Sequence, residues 1–314
     1  MDSYPNGAAM VVKSMTCLIL NGKAAGREDL RDAIHTIRNE GHRIDIRVTN
    51  GPGDAPEIAR QAAESGVPIV AAGGGDGTIN QVVSGLLAAR CNSEQPTALA
   101  VVPLGTANDL ANSCGIPLDP TQGLRLAATG KAVAVDVARV NGRCFLNVAT
   151  GGFGTQVTVQ TPPELKATLG RAAYLLTALT RFGSIRPARG RVSGPGLDWE
   201  GEFLALAVGN GRQAGGGHRL CPDALLNDGL LDLRILPHLP AVEIHRDLQI
   251  LLREGLQAVR RPLVSARLPA LTIESDEPMQ LNLDGEPIEG TRFSFEVLPG
   301  RLDMKLPPGC PLLE

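Results

Sequence analysis

The first 130 residues alternate short apolar runs with segments whose apolar side chains recur every three to four positions. Strands are predicted at residues 16–20, 43–48, 68–72 and 98–102, and helices at 28–40, 55–64 and 78–89. Strands that alternate with helices at such short spacing predict a parallel sheet with helices on both faces. Ligands of such sheets bind at the carboxyl ends of the strands, so the loops at those ends are the first place to look for a site.

Near residue 131 the pattern changes to strands that follow one another. They are predicted at 132–140, 143–149, 189–192, 199–208, 231–236, 263–268, 271–275, 279–283 and 292–297, with two helices at 164–182 and 241–253. Successive strands separated by Gly, Pro and Asp turns are typical of an antiparallel sandwich or barrel. We therefore predict an α/β domain over residues 1–130 and a mainly antiparallel β-sandwich domain over 131–314, whose C-terminal tail can return to the first domain.

The bulk properties of the chain exclude several classes of protein. Its 314 residues suffice for two domains, and a net charge of −3 provides no large positive field for nucleic acid. The six cysteines are scattered without a Cys-x-x-Cys pair, which is typical of reduced thiols in a cytoplasmic protein. No segment has the pattern of a secretory signal or of a membrane-spanning helix, so any membrane contact is expected to be peripheral.

A glycine-rich loop follows the third predicted strand. Residues 73–78 are Gly-Gly-Gly-Asp-Gly-Thr. Glycines at a strand-to-helix turn let backbone N–H groups approach an anion that the helix N-terminus also attracts. Asp76 within the loop suggests Mg²⁺ between its carboxylate and phosphate oxygens. The next strand ends in Pro-Leu-Gly-Thr-Ala-Asn-Asp at 103–109, and two adjacent strand ends with matching loops predict one phosphate-binding cleft.

Four separated segments resemble one known family. The chain lacks the P-loop motif and the spaced Gly-x-Gly-x-x-Gly motif, which argues against P-loop enzymes, protein kinases and dinucleotide dehydrogenases. The segments at 74–80, 104–109, 221–230 and 283–286 instead resemble, in order, the motifs of the diacylglycerol kinase-like lipid kinases and specifically of their bacterial YegS-type branch. NAD kinases and phosphofructokinases share the first motif, whereas the second and third together are specific.

The resemblance implies a kinase that transfers phosphate from ATP to the hydroxyl of a lipid alcohol of the diacylglycerol or phosphatidylglycerol type. The N-terminal domain would then bind the nucleotide. The implied ATP-binding residues are Thr49, Gly74, Gly75, Asp76, Gly77, Thr78, Ile79, Asn80 and Thr106. On the residues alone, Thr49 is equally well explained as a turn threonine.

The resemblance also implies a metal-binding turn in the second domain. Its ligands would be the Asp228 carboxylate and the main-chain carbonyls of Leu225 and Leu230, with Mg²⁺ as the ion and Ca²⁺ as an alternative. Oxygen ligands of this kind suit Mg²⁺. On the residues alone, the Asp-Gly pair at 228–229 is equally well explained as a simple tight turn.

Phosphoryl transfer to a hydroxyl also needs a group that accepts the hydroxyl proton. Glu286 is the candidate for this catalytic base, because the family places its catalytic carboxylate in the segment that corresponds to Leu-Asp-Gly-Glu at 283–286. On the residues alone, Glu286 could be an exposed glutamate that follows a hairpin turn. Asp284 is the rival candidate for the base.

The acceptor side of the site is less specific in sequence. The helix predicted at 164–182 has an apolar face, and four arginines lie at its end and after it: Arg181, Arg186, Arg189 and Arg191. This combination suits an enzyme that meets an anionic lipid surface transiently from the cytoplasm, although a core helix with solvated arginines is the favoured interpretation. Two alternative functions stay open, namely an NAD kinase-like phosphotransferase and a non-catalytic nucleotide- or lipid-binding module. No nucleic-acid partner is expected, and no oligomeric state is predicted.

Overall fold

The structure is a computed structural model that describes residues 15–22, 24–89, 96–152, 187–238 and 263–314. The helices predicted at 164–182 and 241–253 lie outside the described residues, as do Arg181 and Arg186.

The N-terminal half alternates strands and helices. Its elements are β1 (Met15–Asn21), α1 (Glu28–Asn39), β2 (Arg43–Thr49), α2 (Asp54–Glu64), β3 (Ile69–Gly74), α3 (Asp76–Ala89), β4 (Ala98–Pro103), α4 (Asp109–Cys114) and α5 (Pro120–Thr129). Strand β1 pairs in parallel with β2 and β3, and β3 pairs in parallel with β4. Because the strand order is β4–β3–β1–β2, the carboxyl ends of all four strands lie at one edge.

The strands of this half are buried because helices cover them. Every residue of β3 and of β4 is buried, and both strands are continuous apolar runs, as strands covered on both faces are. Helices α2 and α3 pack closely: at Gly85 of α3 a Cβ atom would collide with the main chain of Pro56 in α2. This packing fixes the start of α3 relative to the end of β3.

The C-terminal half is built from antiparallel strands. They are β5 (Ala132–Val140), β6 (Arg143–Phe145), β7 (Val148–Gly152), β8 (Ala188–Gly194), β9 (Leu197–Gly209), β10 (Gln213–Ala214), β11 (His218–Arg219), β12 (Leu231–Pro237), β13 (Val264–Leu268), β14 (Ala270–Leu283) and β15 (Glu286–Lys305). Its core is rich in aromatic side chains, including Phe145, Phe203, Phe293 and Phe295. Phe145 and Phe295 meet edge to face with ring centroids 6.2 Å apart.

The long strand β15 connects the two halves. It pairs antiparallel with β14 and β5, and at Met304 it pairs in parallel with Leu99 of β4, so one hydrogen-bonded path runs through both halves. Beyond β15, the side chains of Leu306, Cys310 and Leu312 lie in the same hydrophobic cluster as residues of α2, α3 and α4. The C-terminal end of the chain is therefore part of the core of the N-terminal half.

Strand boundaries differ from the prediction in the C-terminal half. The strand predicted at 143–149 is divided into β6 and β7 because the backbone between them turns to donate hydrogen bonds to the half-buried carboxylate of Asp284. The strands predicted at 271–275 and 279–283 form one strand, β14, with a register irregularity between Glu274 and Met279. The strand predicted at 292–297 extends in both directions as β15.

Helix α3 begins at Asp76, two residues before the predicted start. The backbone of the glycine loop therefore enters the helix almost directly, and only Gly75 lies between β3 and α3.

Candidate active site

The two glycine-containing loops meet backbone to backbone at the carboxyl edge of the parallel strands. The N–H of Leu104 donates to the carbonyl of Gly74 over 2.9 Å. A Cβ atom on Gly105 would collide with the Cα of Gly75, so no larger residue fits at this contact. The structure thus brings together the segments at 73–78 and 104–109 that the sequence predicts to form one cleft.

Asp76 joins the first loop to the helix that follows the second loop. Its carboxylate accepts hydrogen bonds from the N–H groups of Asp109, at 3.1 Å, and Leu110, at 3.0 Å, in the first turn of α4. Burial raises the pKa of Asp76, and these two N–H donors act in the opposite direction. The sequence predicted that this carboxylate faces a metal and phosphate, but within the described chain its hydrogen bonds hold α4 against the loop.

Asp109 continues this chain of contacts into the C-terminal half. Its carboxylate accepts hydrogen bonds from the N–H of Gly216, at 3.0 Å, and of Gly217, at 2.5 Å, in the turn between β10 and β11. Asp109 belongs to the second motif but was not among the predicted site residues, because sequence does not reveal a partner more than 100 positions away. Its contacts make the β10–β11 hairpin one wall of the site.

The other predicted ATP-binding residues lie along the same edge. Gly77, Thr78, Ile79 and Asn80 form the first turns of α3, with Ile79 and Asn80 buried, and Thr106 is exposed on the second loop. Thr49 ends β2, which is separated from β3 by β1 alone, so it lies about 10 Å away across the sheet. The structure therefore brings Thr106 and residues 74–80 together and places Thr49 farther along the edge.

Asp284 is the acid of the β14–β15 hairpin turn and is half-buried. Its φ of 48° and the φ of 102° at Gly285 are the left-handed conformations that a two-residue hairpin turn requires. The carboxylate accepts three hydrogen bonds, from the N–H groups of Leu146, Asn147 and Val148, at 2.8, 3.1 and 3.0 Å.

Burial raises the pKa of Asp284 to about 6. The three N–H donors oppose this shift, and the nearby negative charge of Asp76 adds to it. The acids of the two halves are therefore close enough to affect one another electrostatically.

A cavity of about 400 Å³ lies between the two halves. Three carboxylates line it, those of Asp76, Asp109 and Asp284. The remaining lining includes apolar residues: Val148, Gly151, Ala205, Leu206, Ala214 and Leu220. The cavity combines acidic groups next to the two loops with a larger apolar surface, which is the character expected of a site for an amphipathic molecule.

Glu286 lies two residues after Asp284, paired with Leu283 at the start of β15, and is half-buried. It is not among the residues that line the cavity, whereas its neighbours Asp284 and Gly285 are. No residue in the described parts of the chain hydrogen-bonds to its carboxylate. The geometry therefore leaves both carboxylates as candidates for the base.

Two carboxylates hold the predicted metal turn, that of Asp228 within the turn and that of Asp136 on β5. Asp228 accepts a hydrogen bond from the N–H of Leu230 at 2.9 Å, and its second oxygen forms an ion pair with Arg267. The Asp228 side chain is 5% exposed. Leu225 and Leu230 lie in the same turn, so the structure brings the three predicted ligands together, but the guanidinium of Arg267 already neutralises the carboxylate.

Asp136 is a functional candidate that the sequence analysis missed. Its carboxylate accepts hydrogen bonds from Gly229 at 2.7 Å and from Gly300 at 2.8 Å, and its N–H donates to the Leu226 carbonyl at 2.5 Å. It therefore fixes the metal turn to β5 and β15. The available signal was a single carboxylate in the middle of the apolar strand β5, since such residues are rarely buried without partners.

Among the described residues, no group of three or more His, Cys, Asp or Glu side chains is arranged to hold a metal ion. A metal at residues 225–230 would therefore depend on main-chain carbonyl oxygens, which is the kind of ligand set that the sequence predicted.

The arginines of β8 do not form a free cationic patch. Arg189 pairs with Glu200 and Asp276, and Arg191 pairs with Asp198 at 2.6 Å. Acids on neighbouring strands therefore partly neutralise these two arginines, and a lipid-facing role for them stays an untested alternative to the favoured interpretation of solvated arginines. None of the described helices is both long and apolar enough to cross a bilayer.

Comparisons with known proteins agree with the motif pattern over nearly the whole chain. Residues 15–140 match the model of the diacylglycerol kinase catalytic domain, and residues 148–305 match that of the YegS C-terminal NAD kinase beta sandwich-like domain. The chain is 46% identical over 301 residues to a protein of Stenotrophomonas maltophilia named probable lipid kinase YegS-like, covering 94% of this chain and 97% of that protein.

A protein of the same name from Pseudomonas aeruginosa is 48% identical over 301 residues, covering 96% of this chain and 97% of that protein. A crystal structure of a diacylglycerol kinase from Bacillus anthracis has a TM-score of 0.75 and 26% identity, and the match covers 94% of this chain and 98% of that one.

Proposed function

The chain belongs to the YegS-like branch of the diacylglycerol kinase family, and we propose that it is a lipid kinase that transfers the γ-phosphoryl group of ATP to the hydroxyl of a lipid alcohol. The observation that carries the proposal is the backbone contact between the loops at 73–78 and 104–109, beside a cavity that is partly acidic and largely apolar. The apolar lining favours an acceptor with hydrocarbon next to its hydroxyl, such as diacylglycerol or phosphatidylglycerol.

The donor nucleotide is proposed to bind at the start of α3. The first hydrogen bond of this helix runs from the Ile79 N–H to the Gly75 carbonyl, at 3.1 Å. The N–H groups of Gly77 and Thr78 precede this bond, and such donors at a helix start are suited to phosphate oxygens. The proposed set is completed by Gly74, Asp76, Asn80, Thr106 and Thr49.

We propose Glu286 as the base. As the acceptor oxygen attacks the γ-phosphorus, the bond to the bridging oxygen of ADP breaks and the hydroxyl proton passes to the Glu286 carboxylate. Asp284 is better suited to positioning, since its two oxygens accept three backbone hydrogen bonds. Asp284 stays the rival because it lines the cavity directly.

A divalent cation, Mg²⁺ or alternatively Ca²⁺, is proposed at Leu225, Asp228 and Leu230. Carboxylate and carbonyl oxygens fit such an ion, which would supply positive charge to the turn. Arg267 now provides that charge, so a bound ion must displace its guanidinium from Asp228. Calorimetric titration with Mg²⁺ tests this: Arg267→Gln should bind Mg²⁺ more tightly than the unchanged protein and Asp228→Asn more weakly, whereas equal affinities in all three would rule out this site.

The proposed roles divide along the chain. We propose that residues 1–130 bind the nucleotide and that residues 131–314 carry the metal turn and the base. We further propose a cytoplasmic enzyme that meets its substrate at a membrane surface; sedimentation with vesicles that contain phosphatidylglycerol tests the latter point.

The direct test of the function is transfer of labelled phosphate from ATP into lipid. Purified protein with Mg²⁺ should label at least one member of a panel that contains diacylglycerol, phosphatidylglycerol and a total lipid extract, with the product identified by mass. Parallel assays for NADP formation and for ATP binding separate the alternatives. NADP formation without lipid labelling would favour the NAD kinase-like function, and ATP binding without any transfer would favour a binding module.

A further inference from the structure

Asn147, between β6 and β7, lines the cavity between the two halves, and its side chain makes no hydrogen bond to any described residue. The residue is 3% exposed. Its main chain is fully engaged, since the N–H donates to the Asp284 carboxylate at 3.1 Å and the carbonyl accepts from the N–H groups of Asn210, at 2.9 Å, and Gly211, at 2.7 Å. The backbone therefore fixes the position of Asn147 and leaves its amide for another partner.

The two polar atoms of this amide have different surroundings. Oδ1 is buried and has no donor among the described residues. It packs against Gly211, where a Cβ atom would lie 2.3 Å from it, and Gly211 does not line the cavity. Because Oδ1 faces Gly211, the Nδ2 end of the amide is the polar end that faces the cavity.

Asn210 illustrates an asparagine that the fold itself uses. It is also buried with an unpartnered Oδ1, but its Nδ2 donates to the carbonyls of Asp136, at 3.1 Å, and Leu146, at 2.9 Å. The Asn147 amide forms no such bond within the described chain, and a buried polar group without a partner lowers stability. The hydrogen bonds of the fold therefore account for the amide of Asn210 and not for that of Asn147.

The cavity is rich in hydrogen-bond acceptors and poor in buried donors. Its three carboxylates only accept hydrogen bonds when ionised. Of the lining residues with a neutral polar side chain, Asn147 alone is buried in the part of the chain that the structure describes; the others are Thr150, His218 and Asn282. A hydroxyl in the cavity can donate its hydrogen to a carboxylate, whereas a second oxygen of the same molecule needs a donor. The Nδ2 group of Asn147 provides one beside Asp284.

We propose that the Asn147 amide binds the acceptor lipid, by donating a hydrogen bond from Nδ2 to an oxygen on the carbon next to the one that bears the reacting hydroxyl. The inference rests on the proposed function, because it takes the cavity as the acceptor site. In diacylglycerol this neighbouring oxygen belongs to an ester, and in the headgroup of phosphatidylglycerol it is a second hydroxyl. The bond positions the glycerol unit beside the β14–β15 hairpin and disfavours lipid alcohols that lack the neighbouring oxygen.

A comparison of acceptors tests the proposal. The acceptors are dioctanoylglycerol, phosphatidylglycerol and dodecanol, which has no neighbouring oxygen, each in the same mixed micelles. Asn147→Ala removes the donor, and Asn147→Asp keeps the shape of the side chain but replaces the donor with an acceptor. In both variants kcat/KM should fall about tenfold or more for at least one of the two glycerolipids, as expected for one lost hydrogen bond, and should change less than about twofold for dodecanol. The glycerolipid with the larger loss identifies the oxygen that is bound.

Asn210→Ala is the matched control. It removes two hydrogen bonds of the fold, so it should lower the Tm and affect all acceptors equally. Asn147→Ala should keep a Tm near that of the unchanged protein, because its side chain forms no hydrogen bond to the described chain. Equal losses for all acceptors in the Asn147 variants, or undiminished kcat/KM for both glycerolipids, would overturn the proposal.

Calorimetry with the same lipids separates this inference from the proposed function. The unchanged protein should bind at least one glycerolipid about tenfold more tightly than Asn147→Ala does and should bind dodecanol with the same affinity as the variant. If no lipid is phosphorylated but this difference in binding is found, the proposed function fails and the role of Asn147 stands. If the two proteins bind both glycerolipids equally, or neither binds them, the role of Asn147 is rejected.

Discussion

At the scale of single residues, the site is organised by carboxylates that accept hydrogen bonds from backbone N–H groups of other elements. Asp76 holds the start of α4, Asp109 holds the β10–β11 turn, Asp284 holds the segment between β6 and β7, and Asp136 holds the metal turn. Charged acceptors make stronger hydrogen bonds than neutral ones, and leaving them buried without their donors is costly. These acids therefore position the loops, whether or not they also contact substrate.

The first residue-scale prediction separates the two candidates for the base. Glu286→Gln should lower kcat for lipid phosphorylation by roughly 10²–10⁴, the range typical of a lost general base, and leave the Kd for ATP within about twofold. Asp284→Asn should lower kcat and also the free energy of unfolding, because it removes one charged acceptor of three hydrogen bonds. Initial rates, calorimetry with ATP and urea unfolding measure these quantities. Undiminished turnover in Glu286→Gln would assign the base to Asp284.

The second residue-scale prediction concerns pH. The pKa of Asp284 is raised from 3.8 to about 6 in the folded protein, so between these values the folded state binds more protons than the unfolded one. The stability linked to this proton is fully present below about pH 3.8 and is lost as the pH rises to about 6, by on the order of 3 kcal/mol in total, of which about 1.4 kcal/mol is lost above pH 5.

Urea unfolding at pH 5 and pH 7.5 checks this effect. The unchanged protein should lose stability between pH 5 and pH 7.5 relative to Asp284→Asn, so the stability advantage of the unchanged protein over the variant should be smaller at the higher pH. Asp276→Asn, at an exposed position, is the control and should show no such shift. A difference that does not depend on pH would show that Asp284 does not titrate in this range.

At the scale of elements, the parallel strands deliver the two loops together with Asp76 and Asp109, and the antiparallel strands deliver Asp284. The loops were predictable because the motif residues follow strands that are adjacent both in sequence and in space. The division of the strand predicted at 143–149 was not, because it depends on Asp284, which is more than 130 positions away. The ion pairs of the β8 arginines were not predictable for the same reason, since their acidic partners lie on other strands.

The element-scale prediction tests the contact between the loops. Gly105→Ala should force the loops apart, because its Cβ would collide with Gly75, and should weaken ATP binding tenfold or more at a cost of about 1–3 kcal/mol in stability. Gly26→Ala is the matched control, since a Cβ there meets nothing within 4 Å. Calorimetry and urea unfolding measure both effects. Equal ATP affinity in the two variants would mean that the close approach is not needed for binding.

At the scale of the whole molecule, β15 and the tail that follows it return to the N-terminal half and join the two halves. The switch from alternating elements to successive strands predicts a division near residue 131, and the family resemblance is confirmed by relatives that match nearly the full chain. The continuous hydrogen-bonded path through β15 and β4 was not predicted, because the single pairing of Met304 with Leu99 leaves no periodic pattern. The carboxylates that line the cavity come from both halves, so the cavity depends on the strand pairing that joins the halves.

The last prediction follows from the tail. Leu312 is fully buried in the core of the N-terminal half, whereas its neighbour Leu313 is only partly buried. Leu312→Ala should therefore lower the free energy of unfolding by about 3 kcal/mol, and Leu313→Ala, which removes the same atoms, by clearly less. Because the Leu312 carbonyl holds Leu226 beside the metal turn, hydrogen exchange at 225–230 should also rise in Leu312→Ala. If both variants lose equal stability and exchange at 225–230 is unchanged, Leu312 does not anchor the tail in the core, and the contacts of β15 and of Asp109 must hold the two halves together without it.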